Sequence, residues 1–226
     1  MIISNRMNSI LEKITDFFSR FMRMSNNSVV GIDIGSSSVK VIQLKKVKGK
    51  AVLETYGELA LGPYGERAVG QAVRLPAEKT AEALKDVIRE ANVTTKSAAF
   101  SIPLASSLTS VIQLPVVPES QLKEMVPIEA RKYIPVPISE VTLDWWMIPK
   151  REKEVLNLEE DDAISANGTE KQQGEEKDKI NILLVAIHND VINMYQRIAK
   201  GSDIDISFLE IETFSAIRSL LRGGTT

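Results

Sequence analysis

The chain contains no cysteine, a single histidine and no long apolar run. The absence of cysteine excludes disulfide bonds and cysteine-rich metal sites. One histidine leaves little room for a histidine-based zinc site or a Ser-His-Asp triad. No apolar run approaches the roughly 18 residues that a membrane-spanning helix needs. These absences remove several common classes of enzyme and membrane protein.

A basic excess is also missing, since the formal net charge is −2. A general nucleic-acid-binding protein would carry such an excess. Hydrophobic residues make up 43% and charged residues 26% of the 226 positions, which is ordinary for a soluble globular protein. A chain of this length allows one large domain or two small ones.

One stretch, Val29 to Leu44, organises the rest of the chain and reads VVGIDIGSSSVKVIQL. Strand-forming residues precede and follow the short run Gly35 to Ser38. The pattern predicts two strands joined by a tight turn with a small-residue tip.

The composition of this tip favours anion binding, because glycine and serine leave backbone N–H groups accessible to a phosphate. Lys40 can add a positive charge from the second strand. Asp33 would repel an anion unless a cation, such as hydrated Mg²⁺, lay between them. The alternative is a surface hairpin with a solvated aspartate and lysine. The candidate phosphate-binding residues are Gly35, Ser36, Ser37, Ser38 and Lys40, and the candidate metal ligand is Asp33.

The segment 1–27 precedes this hairpin and has apolar residues at helical spacing. They are Ile10, Leu11, Ile14, Phe17, Phe18, Phe21 and Met22. This spacing predicts an amphipathic helix that lies on an anionic membrane surface or docks on its own domain or a partner. Charged residues interrupt any signal-peptide core.

The remaining elements form two groups. The first group contains a strand over 51–61 after a basic turn at 45–49, a helix over 78–92 and a strand over 96–102. The second contains a strand over 107–114, a helix over 118–133, a strand over 141–148, a polar and acidic insertion over 151–179, and a strand over 180–187. The second group continues with a helix over 190–200, ended by Gly201. After both groups come a strand over 204–211 and a helix over 212–221. Pro127 is expected to kink or split its helix.

Residues Asp33 to Lys40 resemble the first phosphate motif of the actin and sugar-kinase superfamily, and most closely that of the PilM branch, which is related to FtsA. The stretch Glu129 to Pro135 (EARKYIP) and the pair Leu143-Asp144 also resemble PilM. The resemblance covers about 28–222. It implies an α/β (α+β) fold with an actin-like, ribonuclease-H-like mixed sheet, consistent with three consecutive strands followed by a crossover helix.

The resemblance also implies a division of the chain. Residues 28–104 would begin subdomain 1A, residues 105–202 would form an inserted, SHS2-like 1C subdomain, and residues 203–226 would return to 1A.

The resemblance further implies a scaffold for type IV pilus assembly, in the cytoplasm at the inner face of the inner membrane. Its cofactor would be ATP with Mg²⁺. Its partner would be the N-terminal peptide of a PilN-like membrane protein, held in a groove between 1A and 1C. The candidate partner-binding residues are Leu122, Met125, Ile128 and Tyr133. The alternative for all four is core packing, because helical apolar stripes usually face a core.

A complete actin-like protein has a second lobe with another Asp-x-Gly hairpin, and no further Asp-x-Gly follows Asp33. We therefore expect weak or no ATP binding and no hydrolysis by this chain alone, because phosphoryl transfer needs donors on both sides of the nucleotide. The alternatives are a fragment of a sugar- or acetate-kinase-like phosphotransferase, or an FtsA-like division protein. The strand 96–102 has no acidic residue, which argues against a kinase. Trp145 and Trp146 point to opposite faces of their strand, so we expect one in the core.

Overall fold

The computed structural model describes residues 28–148 and 179–220. The predicted amphipathic segment 1–27 lies outside these residues, and so does the predicted acidic insertion apart from Lys179. The described residues divide into a large unit, 28–107 with 187–220, and a small unit, 108–148 with 179–186.

The helices and strands follow the predicted order. The strands are β1 (Ser28–Ile34), β2 (Ser38–Val47), β3 (Lys50–Ala60), β4 (Ser97–Ile102), β5 (Ser107–Pro115), β6 (Val141–Ile148), β7 (Lys179–His188) and β8 (Asp205–Ile211). The α-helices are α1 (Ala77–Glu90), α2 (Glu119–Ala130), α3 (Asn189–Gly201) and α4 (Glu212–Leu220). No helix among them is long and apolar enough to cross a membrane.

The large unit contains a five-stranded sheet in the order β3-β2-β1-β4-β8. β2 is antiparallel to both β1 and β3, while β4 is parallel to both β1 and β8. This confirms the predicted mixed sheet. The centre of the sheet is β1, which carries the predicted phosphate hairpin at its carboxyl end.

The turn between β2 and β3 is shorter than the predicted basic turn over 45–49. β2 continues through Val47, and only Lys48 and Gly49 separate the strands, with φ of 49° and 82°. Two-residue hairpin loops favour positive φ because their twist then matches that of the strands. The lysine-rich sequence of 45–49 therefore predicted a turn at residues 45–47, where the backbone in fact continues as β2.

The hydrophobic core of the large unit forms where α1 and α3 pack with one face of its sheet. Its largest fully buried side chains are Phe100, Leu84, Ile102 and Ile198. Strand residues alternate between the two faces, so Val30 and Ile32 of β1 enter this core while Gly31 and Asp33 face away.

The division of the chain differs from the predicted inserted subdomain over 105–202. The small unit ends at Ala186, and α3 belongs to the large unit. Tyr195, Ile198 and Ala199 of α3 share one core cluster with Leu84 of α1. The amphipathic pattern of α3 correctly predicted a helix, but an apolar stripe does not specify which core it joins.

The helix α3 ends at Gly201, close to the predicted end, but the glycine also has a packing role. It is the last residue of α3, and the positive φ that follows the helix belongs to Asp203, at 60°. A Cβ atom at position 201 would lie 2.8 Å from Cβ of Ala81 in α1. The glycine therefore permits the close approach of α1 and α3.

The small unit has a three-stranded sheet in the order β5-β7-β6 and the helix α2. Its core includes Ile112, Leu122, Val126, Ile182 and Leu184. Pro127 lies inside α2, and the predicted split does not occur. The carbonyl that loses its hydrogen bond four residues earlier is that of Lys123, an exposed residue.

The two tryptophans of β6 differ less than expected. Trp145 packs against the core of the small unit, as predicted for one of the pair. Trp146 is also half-buried.

We predict that Gly201→Ala lowers the free energy of unfolding by about 1 kcal/mol or more, as overpacking does. Without this clash, replacing glycine by alanine within a helix would raise the free energy of unfolding by about 0.5–1 kcal/mol. Urea unfolding followed by circular dichroism measures the change. The double variant Ala81→Gly/Gly201→Ala should be more stable than the sum of the single changes predicts. A stabilised Gly201→Ala protein would contradict the close-approach account.

Candidate functional site

The hairpin formed by β1 and β2 places its two charged residues directly across from each other. Asp33 pairs with Lys40, and Ile34 pairs with Val39. The N–H of Gly35 donates to the carbonyl oxygen of Ser38 at 2.9 Å and closes the tip. The paired turn predicted from the glycine and serine run is therefore present.

The carbonyl groups of the tip are occupied by other parts of the large unit. Ser36 accepts a hydrogen bond from the N–H of Val73, and Ser37 accepts one from the N–H of Leu61, both at 2.8 Å. Across residues 28–148 and 179–220, the N–H groups of Ser36 and Ser37 donate to no protein acceptor. The backbone groups left for a ligand at these two residues are therefore hydrogen-bond donors, which suit an anion.

The tip leaves little space for a side chain at Gly35. A Cβ atom there would lie 3.2 Å from the carbonyl oxygen of Ser38, the same atom that accepts the Gly35 hydrogen bond. A larger residue would press against the bond that closes the turn.

A row of polar residues extends from Asp33 across the whole sheet. Lys40 pairs with Glu58 of β3, Asp33 with Ser101 of β4, and Ser101 with Glu210 of β8. Paired residues on neighbouring strands share a face. This row, which we call the polar row, lies on the face opposite the core of α1 and α3.

Lys40 is placed beside the tip, as predicted. Its Nζ donates to Oγ of Ser38 at 3.1 Å and lies 3.7 Å from Oε1 of Glu58. Both charged side chains of this ion pair are more than half exposed, so it adds little stability. The lysine is therefore available to an incoming anion.

The carboxylate of Asp33 is held by a residue that sequence reasoning missed. Oγ of Ser101 donates to Oδ1 of Asp33 at 2.6 Å. The carbonyl oxygen of Ser101 in turn accepts a hydrogen bond from the hydroxyl of Tyr195 at 3.1 Å. Burial raises the pKa of Tyr195, and the charges of Asp33 and Glu212 raise it further, so this hydroxyl remains a donor.

Two further acidic residues lie at the carboxyl end of β8. Oε1 of Glu212 accepts a hydrogen bond from the N–H of Leu104 at 2.9 Å. Glu210 forms an ion pair with Arg218 of α4. Burial raises the pKa of Glu210, while Arg218 opposes that shift. These contacts attach α4 and the segment after β4 to the sheet.

A signal for these missed residues exists in the sequence. The parallel strands β1, β4 and β8 each carry a polar residue near the carboxyl end, namely Asp33, Ser101 and Glu210. Ligands of α/β sheets bind outside the carboxyl ends of parallel strands. Comparison of these three ends would have identified Ser101 once the parallel pairing was assumed.

The donor set at the tip fits one kind of metal ion. Among residues 28–148 and 179–220, no group of three or more acidic, histidine or cysteine side chains is arranged to hold a metal. Mg²⁺ commonly keeps several waters and binds through one or two carboxylates plus substrate phosphates. A single carboxylate beside free N–H groups fits a hydrated Mg²⁺ that arrives with a phosphate ligand.

Comparison with known proteins identifies the family. The sequence profile described as type IV pilus assembly protein PilM matches residues 31–222, which is more than half of the chain. The chain belongs to the PilM family. This confirms the resemblance drawn from the hairpin and favours it over the kinase-like and FtsA-like alternatives.

One solved structure supports the same fold. A chain described as part of the PilM-PilN type IV pilus biogenesis complex is similar, with 20% identity and a TM-score of 0.62. The similarity covers 85% of this chain and 49% of that one, so this PilM-family chain spans about half its length. The cytoplasmic domain of EpsL, an inner membrane component of the type II secretion system of Vibrio cholerae, is a weaker match. It has 10% identity and a TM-score of 0.47 over 81% of this chain and 57% of that one.

The four candidate partner-binding residues of this PilM-family chain divide by exposure. Leu122 is fully buried in the core of the small unit, so it is not available to a peptide. Met125 is half-buried against the same core. Ile128 and Tyr133 are 64% and 42% exposed. The core-packing alternative therefore holds for Leu122, and the other three reach the surface.

The segment that supports the hairpin tip is itself anchored to α1. The hydroxyl of Tyr64, in a short 3₁₀ turn, donates to Oδ2 of Asp86 at 2.5 Å. Burial and this hydrogen bond raise the pKa of Tyr64 to about 12. The hydrogen bond from Tyr64 also lowers the pKa of Asp86. The anchor lies in the connection that also supplies Val73 to the tip.

We predict a pH dependence from this anchor. An unfolded tyrosine releases its proton near pH 10, whereas folded Tyr64 holds it to about pH 12. Its stabilising contribution is therefore present below about pH 10 and is lost as the pH rises towards about 12. Tyr64→Phe should reduce the slope of the fall in stability across this window, measured by urea unfolding. Tyr56→Phe, at a side chain 73% exposed, is the control. An unchanged slope in Tyr64→Phe would contradict the anchor.

Proposed function

We propose that this chain acts in type IV pilus assembly as a cytoplasmic scaffold at the inner face of the inner membrane. Its small unit binds the N-terminal peptide of a PilN-like inner-membrane protein. Membership of the PilM family and the likeness to a chain of a PilM-PilN complex support this proposal.

The observation that carries the proposal is the exposed apolar surface of α2 and the turn after it. Leu122, Val126 and Ala130 are fully buried in the small unit. Ile128 and Tyr133, in contrast, are exposed, and the half-buried Met125 is one helical turn before Ile128. We name Met125, Ile128 and Tyr133 the α2 surface. Exposed apolar and aromatic side chains of this kind provide anchors for an extended peptide with alternating apolar residues.

The hairpin supports a second function, which is binding of ATP with Mg²⁺. The free N–H groups of Ser36 and Ser37 and the ammonium group of Lys40 would hold phosphate oxygens, and Asp33 would hold the hydrated metal. The bound metal would neutralise phosphate charge. This site supplies one side of a nucleotide cleft, and we propose that the chain alone does not hydrolyse ATP.

We predict that Ile128→Glu weakens the binding of a synthetic PilN-type N-terminal peptide to the full chain by about 10-fold or more. Truncation of an anchor residue in an interface lowers the binding free energy by about 1–2 kcal/mol or more, and a carboxylate adds a desolvation cost. Fluorescence polarisation with a labelled peptide measures the affinity, with and without ATP.

Val111→Glu is the matched control for this experiment. Val111 is 54% exposed in the same unit, but it alternates on β5 with Ile112, which enters the core, and so lies on the other face of the sheet. The control variant should bind like the unmodified chain. Equal loss in both variants, or no binding by the unmodified chain under either condition, would overturn the proposal.

We predict that the chain alone binds Mg-ATP with an affinity weaker than micromolar. Tight ligands are usually enclosed over about 70–90% of their surface, and a hairpin encloses one side. Calorimetric titration tests this, and sub-micromolar binding would refute it. Asp33→Asn should remove the benefit of Mg²⁺ while leaving binding of metal-free ATP in place.

A further inference from the structure

Ser101 occupies a defined position between the phosphate hairpin and the core. It lies beside Asp33 in the parallel pairing of β1 with β4. Its Oγ donates to Oδ1 of Asp33 at 2.6 Å, a short bond of the kind formed by a hydroxyl with a charged acceptor. Both residues are half-buried, so the bond is only partly exposed to competition from water.

The backbone of Ser101 is itself held in place. Its carbonyl oxygen accepts the hydroxyl of Tyr195 at 3.1 Å. Tyr195 is only 2% exposed, and its ring meets the edge of Phe100 with centroids 5.8 Å apart and an interplanar angle of 78°. A buried aromatic pair therefore fixes the end of β4 from the core side of the sheet.

The bond leaves one oxygen of Asp33 for a ligand. Oδ1 is occupied by Ser101, while Oδ2 has no hydrogen-bond partner within the described ranges 28–148 and 179–220. A carboxylate with one oxygen fixed cannot rotate freely, so its second oxygen is held in one direction. Residues that orient a ligating carboxylate in this way commonly change metal affinity by roughly 10–100-fold when mutated.

We propose that Ser101 is a positioning residue, which fixes the Asp33 carboxylate so that Oδ2 receives the hydrated divalent cation of a nucleotide. This inference rests on the proposed nucleotide function of the hairpin. It gives β4 a role in the cation site, whereas the family resemblance of the hairpin motif concerns only β1, the tip and β2.

The test uses the full chain labelled with ¹⁵N and titrated with ATP, once with excess Mg²⁺ and once with a chelator. Backbone amide signals of Gly35 to Ser38 report binding at the tip, and they remain informative when affinity is weak. The compared proteins are the unmodified chain, Ser101→Ala, Ser101→Thr and Ser97→Ala.

Ser97→Ala is the matched control. Ser97 lies on β4, on the same face as Ser101, and its Oγ is 2.8 Å from Oγ of Ser207. The variant removes a hydroxyl from the same strand without touching Asp33, so Mg-ATP binding should be unchanged.

The expected result is that Ser101→Ala weakens Mg-ATP binding by roughly 10-fold and leaves metal-free ATP binding unchanged. Ser101→Thr, which keeps the hydroxyl, should restore the Mg²⁺ effect. Equal weakening with and without Mg²⁺, or an unchanged Mg²⁺ effect in Ser101→Ala, would overturn the role of Ser101. If the tip signals of the unmodified chain do not respond to Mg-ATP, the nucleotide function itself fails, which is a distinguishable outcome.

Discussion

The register of β1 determines which residues of the large unit meet at the hairpin tip and which enter the core. This strand pairs with β2 on one side and β4 on the other, so that Asp33 faces Lys40 and Ser101 at once. Because side chains alternate along a strand, a slip of one residue would move Asp33 into the core of α1 and α3 and expose Ile32. Burial of Ile32 and its neighbours therefore keeps the charged groups at the tip together.

The elements could be predicted from the sequence because their signals are local. The run Gly35 to Ser38 predicted the hairpin, and the apolar spacing of α1 and α3 predicted helices of nearly the observed length. The family and fold followed from the same hairpin motif, as the comparisons confirm. The assignment of α3 to a unit was wrong because an apolar stripe is compatible with either core.

Contacts between distant parts of the chain could not be predicted in the same way. Gln43 is an example, since it reads as an ordinary strand residue but is only 1% exposed. Its amide group contacts Glu54 and Thr94 beside an irregularity in the pairing of β2 with β3. Ser101 is another example, because its hydrogen bond is to Asp33, which lies far away along the chain. Gly201 was predicted to end α3, and the helix does end there, but its closeness to Ala81 of another helix could not be predicted.

The order in which the sheet of the large unit is completed has a consequence for biosynthesis. In the part of the chain that the structure describes, β8 is the outer neighbour of β4, and residues 108–148 and 179–186 of the small unit are encoded between them. On the ribosome, β4 therefore emerges long before β8, and its free edge can pair with other extended segments in the meantime. The speed of translation between Ile102 and Asp205 sets how long the nascent chain carries that open edge.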